Sequence, residues 1–173
     1  SDRSKEAQSK MESVLSSTKD QRERVLCESY QQGGKIRAEG VESAMDTVSD
    51  AELPFLKGIE ILPLKESQDT IVASEKAAAA AQIAISEART YIASKNLEIK
   101  KFATATSTQE AFGKFTERIN SAAQKLNQFR KDTDVRRRSV LMQEAAVKMD
   151  EVDKEVKNMA DAVQPFADED VEK

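Results

Sequence analysis

The sequence predicts an all-α protein, an elongated antiparallel three-helix bundle of coiled-coil type. Three observations carry that expectation. Of 173 residues, 34% are charged and 39% hydrophobic, a balance that fits long helices with narrow buried stripes better than a thick core. Ile71, Ala78, Ile85, Ile92 and Ile99 recur every seven residues. Two further series, from Phe112 to Phe129 and from Met149 to Phe166, alternate steps of three and four residues, the spacing that lines one face of a helix.

In the first helix, Ala7, Met11, Val14, Leu15, Thr18, Val25 and Leu26 share one broad face, and Ile36, Val41, Ala44, Met45 and Val48 continue it beyond Gly33-Gly34. Two glycines cost about 2 kcal/mol relative to alanines inside a helix. The pair therefore predicts a kink or short interruption, and the helical pattern on both sides predicts one long bent helix ending near residue 52.

Residues 53–64 contain Pro54, Gly58 and Pro63, which stop a continuous helix, yet seven of the twelve are Leu, Ile or Phe. Such apolar weight predicts a corner folded over the bundle end as a cap. The alternative is a partner-binding tip presenting Phe55 and Leu56, because apolar surface left exposed marks interaction sites.

Helix 2 is expected over 65–103. The series three residues beyond its isoleucine and alanine repeat reads Ser74, Ala81, Ala88, Lys95 and Phe102. These residues are mostly small, and together with the run Ala77 to Ala81 they allow close approach by neighbouring helices. Helix 3 begins with Ser107 three residues before Glu110, the spacing of a capping box. Its two seams lie out of phase by one position, because Phe129 and Met149 are twenty residues apart rather than twenty-one. Local unwinding or a change of partner is expected between them. Pro165 is expected to end the helix after Gln164. The domain reading is a single bundle over 1–167 followed by an acidic tail over 168–173. Short connections make successive helices antiparallel, and helices 1 and 3 exceed helix 2, so their surplus should project or fold back.

Composition also excludes chemistry. The chain has no His and one Cys, so it holds no Ser/His/Asp relay, no His-ligated metal, no internal disulfide and no thiolate zinc cage. Asp150, Glu151, Asp153 and Glu155 are spread around a helix without calcium-loop spacing or a turn glycine and read as a solvated face. Cys27 reads as a small buried hydrophobe. No cofactor is expected, and the chain reads as a non-enzyme.

Net charge is −4, with −3 over residues 1–52, +4 over 107–148 and −6 over 149–173. The basic stretch is interleaved with acids, so nucleic acid is not an expected partner. Arg136, Arg137 and Arg138 are the most concentrated cations. Only Val135 is large and apolar between Phe129 and Val140, so this stretch is expected to overhang the other helices and to be open to an anionic partner. No apolar run reaches membrane-spanning length, and no Asn begins a glycosylation sequon. A start at Ser1-Asp2 reads as a cut or processed chain. The single Cys suits a reducing compartment and equally an extracellular helical protein.

Three long helices, the run Lys76 to Gln82, heavy Ala and Glu usage, the absence of Trp and an acidic tail resemble the alanine-rich surface coat proteins of African trypanosomes, in particular the glutamic acid/alanine-rich coat proteins of insect stages. The resemblance implies a cell-surface rod, lipid-anchored in the parent protein through a C-terminal GPI anchor absent from this chain. It would be monomeric, acting as a shield or toward a host or vector surface molecule. The competing expectation is an intracellular coiled-coil scaffold or cytoskeletal linker, whose apolar seams are closed by other chains.

Overall fold

The computed structural model describes residues 2–57 and 62–169, with side chains through Gln164. Among the described residues there are three helices: α1 (Asp2–Lys57), α2 (Leu64–Ile99) and α3 (Thr106–Glu169). At 1.5 Å per residue they are about 84, 54 and 96 Å long. Each packs against the other two, which gives the three-helix bundle the heptads predicted.

The heptad of α2 is the spine of the core. Ile71, Ala78, Ile85, Ile92 and Ile99 are all buried, as are Ser74, Ala81 and Ala88 of the companion series. The buried Ser74 hydroxyl donates to the carbonyl of Ala51 on α1 at 3.3 Å, a contact that only a small residue permits. From α3, Phe112, Ile119, Ala122, Leu126 and Phe129 are buried; from α1 come Cys27, Ala38, Val41 and Val48.

Gly33 and Gly34 lie inside an uninterrupted α1. Their role is close approach. A Cβ at Gly33 would overlap the Tyr91 hydroxyl, and one at Gly34 would stand 3.0 Å from Phe112 Cε1 and 3.2 Å from Phe115 Cδ2. The absent side chains let α1 sit against an aromatic residue of α2 and two of α3. A Cβ at Gly40 or Gly113 meets nothing within 4 Å. Gly40→Ala and Gly113→Ala should therefore each stabilise by about 0.5–1 kcal/mol through helix propensity. Gly34→Ala should instead cost about 1–2 kcal/mol as the rings are displaced. Thermal unfolding of the three variants checks the opposite signs.

Four expected boundaries are corrected. The corner predicted over 53–64 is partly helical, since α1 passes through Pro54 to Lys57 and α2 already includes Leu64; the middle of the expected cap, 58–61, lies outside the described residues. Pro63 stands at the N-cap of α2, where its carbonyl accepts from the Ser67 amide at 2.9 Å and its missing N–H costs nothing. Helix α2 ends at Ile99 rather than 103, and the Phe102 amide turns back onto the Ile99 carbonyl. Helix α3 starts at Thr106, with Gln109 N–H donating to Ala105 O. Ser107 is therefore already inside the first turn and does not cap it. Pro165 does not stop α3, which runs on to Glu169; a proline removes one backbone bond but leaves later residues free to stay helical.

The surplus lengths project from opposite ends. Glu23 is the first buried residue of α1 and accepts from the Ala103 amide at 3.0 Å, beside the α2–α3 connection. Every residue from Arg3 to Lys19 is exposed. At the other end, Gln68 near the start of α2 donates to Glu144 of α3 at 3.3 Å. Val140 is the last buried residue of α3 among the described side chains, and Ala145 to Gln164 are all exposed. Single helices about 27 Å and 37 Å long thus leave the two ends of the bundle.

Candidate interaction surfaces

The arginine stretch is part of the bundle and does not overhang it. Phe129, Thr133 and Val140 on the same helix are buried, so residues 129–140 are covered by α1 and α2. Arg136 donates to Glu52 of α1 at 2.6 Å, and its guanidinium lies 5.0 Å from the centre of the Phe55 ring. Arg137 reaches Glu75 of α2 at 3.4 Å. Arg138 is exposed. The seam here is built from Thr133, whose hydroxyl bonds back to the Phe129 carbonyl at 2.9 Å, and from the stem of Arg136. A rule that counts only apolar residues as core misses both. Two of the three cations are thus committed to carboxylates within the chain. Phe55 is half-buried under Arg136, whereas Leu56 is 63% exposed. The shallow depression lined by Phe55, Leu62, Arg136, Val140 and neighbours holds only about 190 Å³, below the range of ordinary small-molecule pockets.

Polar groups elsewhere tie helices together. Arg118 of α3 donates twice to Glu42 of α1, at 2.8 and 2.6 Å. Tyr30 of α1 donates to Glu98 of α2 at 2.7 Å, and Lys95 reaches the same carboxylate at 2.7 Å while lying 4.5 Å from the Tyr30 ring centre. Hydrogen bonds from Arg118 hold Glu42 below its ordinary pKa. Lys95 and then Tyr30 do the same for Glu98, and Lys148 does so for Glu144.

The sign of the pH dependence follows. A carboxylate whose pKa is lower in the folded state stabilises the fold fully above its unfolded value, 4.5 for glutamate, and loses that contribution as the pH falls through the folded value. The melting temperature should be flat from neutral pH to about 5.5 and decline below about 4.5. Glu42→Gln should shallow that decline, as a series of thermal melts will show.

Cys27 is buried in the core. Asp150, Glu151, Asp153 and Glu155 are exposed on the projecting part of α3, and among the described residues no group of three or more His, Cys, Asp or Glu is placed to hold a metal ion. No described helix is long and apolar enough to cross a membrane.

The least expected surface is the second seam of α3. Met149, Val152, Val156, Met159 and Val163 are 59–66% exposed. The stripe begins earlier than the sequence reading placed it, since Met142 and Ala145 extend the same spacing and are exposed as well. Helix α3 stays helical across the phase slip, so the slip marks a change of face. Beyond Val140 the apolar stripe turns away from α1 and α2. On the opposite end of the molecule, Met11, Val14 and Leu15 of α1 are 64–66% exposed. Apolar residues at every a and d position of three heptads, with Asp, Glu, Lys, Asn and Gln at most outer positions, make a coiled-coil face. In the sequence the face is marked by the three-and-four spacing from Met149, and its separation from the bundle seam by the twenty-residue interval between Phe129 and Met149.

No protein family, curated protein or solved structure matches the chain.

Proposed function

We propose that this chain is a non-enzymatic helical rod that joins other helices, a scaffold or linker element whose two ends are coiled-coil faces. The observation that carries this reading is the exposed stripe from Met142 to Val163. A stripe of about six turns on an unpaired helix draws little stability from propensity alone, because most helical stability comes from packing an amphipathic face, and it is stabilised by burial against a partner. The bundle acts as a spacer of fixed length, and the projecting helices are its connectors. Ion pairs such as Glu6–Lys10 at 2.7 Å and Glu144–Lys148 at 2.8 Å favour the helical form of each connector before it is engaged.

A lipid-anchored surface rod is the second reading, favoured by the elongation and by the way α3 leaves the bundle as a lone helical stalk. It calls for seams closed within one chain, and on that point the linker reading has the stronger support. Light scattering with small-angle scattering on the purified chain separates them. Association at micromolar concentration that is abolished by Val156→Asp supports the linker. A monomer of 19.2 kDa at all concentrations, also in the presence of added helical partners, overturns it in favour of the surface rod.

A further inference from the structure

Helix α1 and the stretch from Thr116 onward share a pattern that the fold turns inside out. Laid over one another with a shift of 115 residues and no gap, residues 1–58 and 116–173 agree at ten positions, among them Ala7/Ala122, Thr18/Thr133, Val25/Val140, Leu26/Leu141, Val41/Val156 and Val48/Val163. The apolar frames agree at most seam positions, the exceptions including Ala38/Asp153 and Arg37/Val152. Ala7, Met11, Val14, Thr18 and Val25, exposed on α1, stand 115 residues before Ala122, Leu126, Phe129, Thr133 and Val140, all buried in the bundle. Conversely, Cys27, Gly34, Val41 and Val48, four residues in the first-helix face of this bundle, stand 115 residues before Met142, Met149, Val156 and Val163, all exposed.

The break in spacing also coincides. In α1 the frame slips between Val25 and Cys27, where the helix enters the bundle; in α3 it slips between Val140 and Met142, where the helix leaves. Each long helix therefore has a front half patterned as the third helix of a bundle and a back half patterned as the first helix of the next.

From this we infer that the stripe Met142–Val163 is a first-helix face, and that its partner is the α2–α3 hairpin of a second copy of this unit, so that successive bundles share one continuous helix. The hairpin that fits is the one this structure shows packed on Cys27, Gly34, Val41 and Val48: the Ile71–Ile99 spine of α2 and the Phe112–Val140 seam of α3. The inference rests on the linker reading and names its partner. It also accounts for the slip, because a helix shared by two bundles must turn its apolar stripe where one set of neighbours gives way to the next. Met149 stands at the position of Gly34, where a Cβ alone meets Phe112 at 3.0 Å and Phe115 at 3.2 Å, so both rings of the second copy must turn aside to admit it.

The test adds residues 59–173 directly after Lys173. Lys173 stands 115 residues after Gly58, so the addition is in phase, and the only unpaired first helix available to the new hairpin is the projecting part of α3. The inference expects the maximum dimension to grow by about 50 Å, the rise of the bundled part of one α3. It also expects amide exchange over 145–164 to slow at least a hundredfold relative to the single chain. Val156→Asp in the extended chain should unfold the added unit while the first bundle melts as before. If the added segment remains unfolded, or folds with no sensitivity to Val156→Asp and Met149→Asp, the inference fails. The first bundle in the same chain reports independently whether the rod itself is intact, so that failure is separate from failure of the linker reading.

Discussion

Val41→Asp is expected to remove most of the stability of the bundle, whereas Val156→Asp, the same change in the same helical frame, leaves the bundle's melting transition within about 0.5 kcal/mol of the parent. Val41 is 1% exposed and packs in the core beside Val48 and the α2 spine. A carboxylate there has no cation within the core to pair with, and an uncompensated buried charge costs about 3–5 kcal/mol. Natural domains hold only about 5–15 kcal/mol in total. Val156 is 59% exposed on the projecting part of α3, so its substitution desolvates nothing in the single chain. Chemical denaturation of the two variants side by side gives the contrast, and a large loss at both positions would show that the end of α3 belongs to the folded unit.

The second large effect is expected at Phe112. Its ring is 2% exposed and fills the space above Gly34. Truncation in Phe112→Ala removes the largest fully buried side chain of the core and leaves a cavity, at a cost of about 3–5 kcal/mol. For a chain of this size that corresponds to a fall in melting temperature of roughly 6–20 °C. The glycine and the ring should also be coupled. Gly34→Ala costs about 1–2 kcal/mol against Phe112 and should cost less in a Phe112→Leu background, where the clash at 3.0 Å is relieved. A double-mutant cycle reads that coupling directly. Additive effects would mean that Gly34 is present for a reason other than the approach of α3.

The pattern of what was legible in the sequence follows from how each element is stabilised. Helix α2 was legible because its core positions are filled by Ile and Ala at strict heptad spacing, so one residue type reports one environment. The glycine pair was legible only as a local cost. Tyr91 lies 58 residues from Gly33, and Phe112 lies 78 residues from Gly34, and a propensity argument sees neither. Apolar spacing places Arg136 to Arg138 on an overhang because Thr133 and the stem of Arg136 form the seam there, and Glu52 and Glu75, the partners of Arg136 and Arg137, come from other helices. The true overhang begins after Val140, where apolar residues are more regular than inside the bundle. Apolar spacing shows that a face is meant to be covered. It does not show whether the cover comes from the same chain. Ser107 and Glu110 have the right separation for a capping box, but the carbonyl of Ala105 opens the helix two residues before that box begins.

Those differences share a cause. Local rules describe a helix in isolation, while the lengths of α1 and α3 exceed what α2 can cover, and that mismatch places the connectors. Coverage thus ends at Glu23 on α1 and near Glu144 on α3. Amide hydrogen exchange on the single chain at submicromolar concentration tests it most directly. Slow exchange is predicted over 27–51, 70–99 and 109–140, with exchange close to that of a free helix over 3–19 and 145–164. Protection over 145–164 equal to that of the α2 spine would contradict it, because the stripe from Met142 to Val163 would then be covered within one chain.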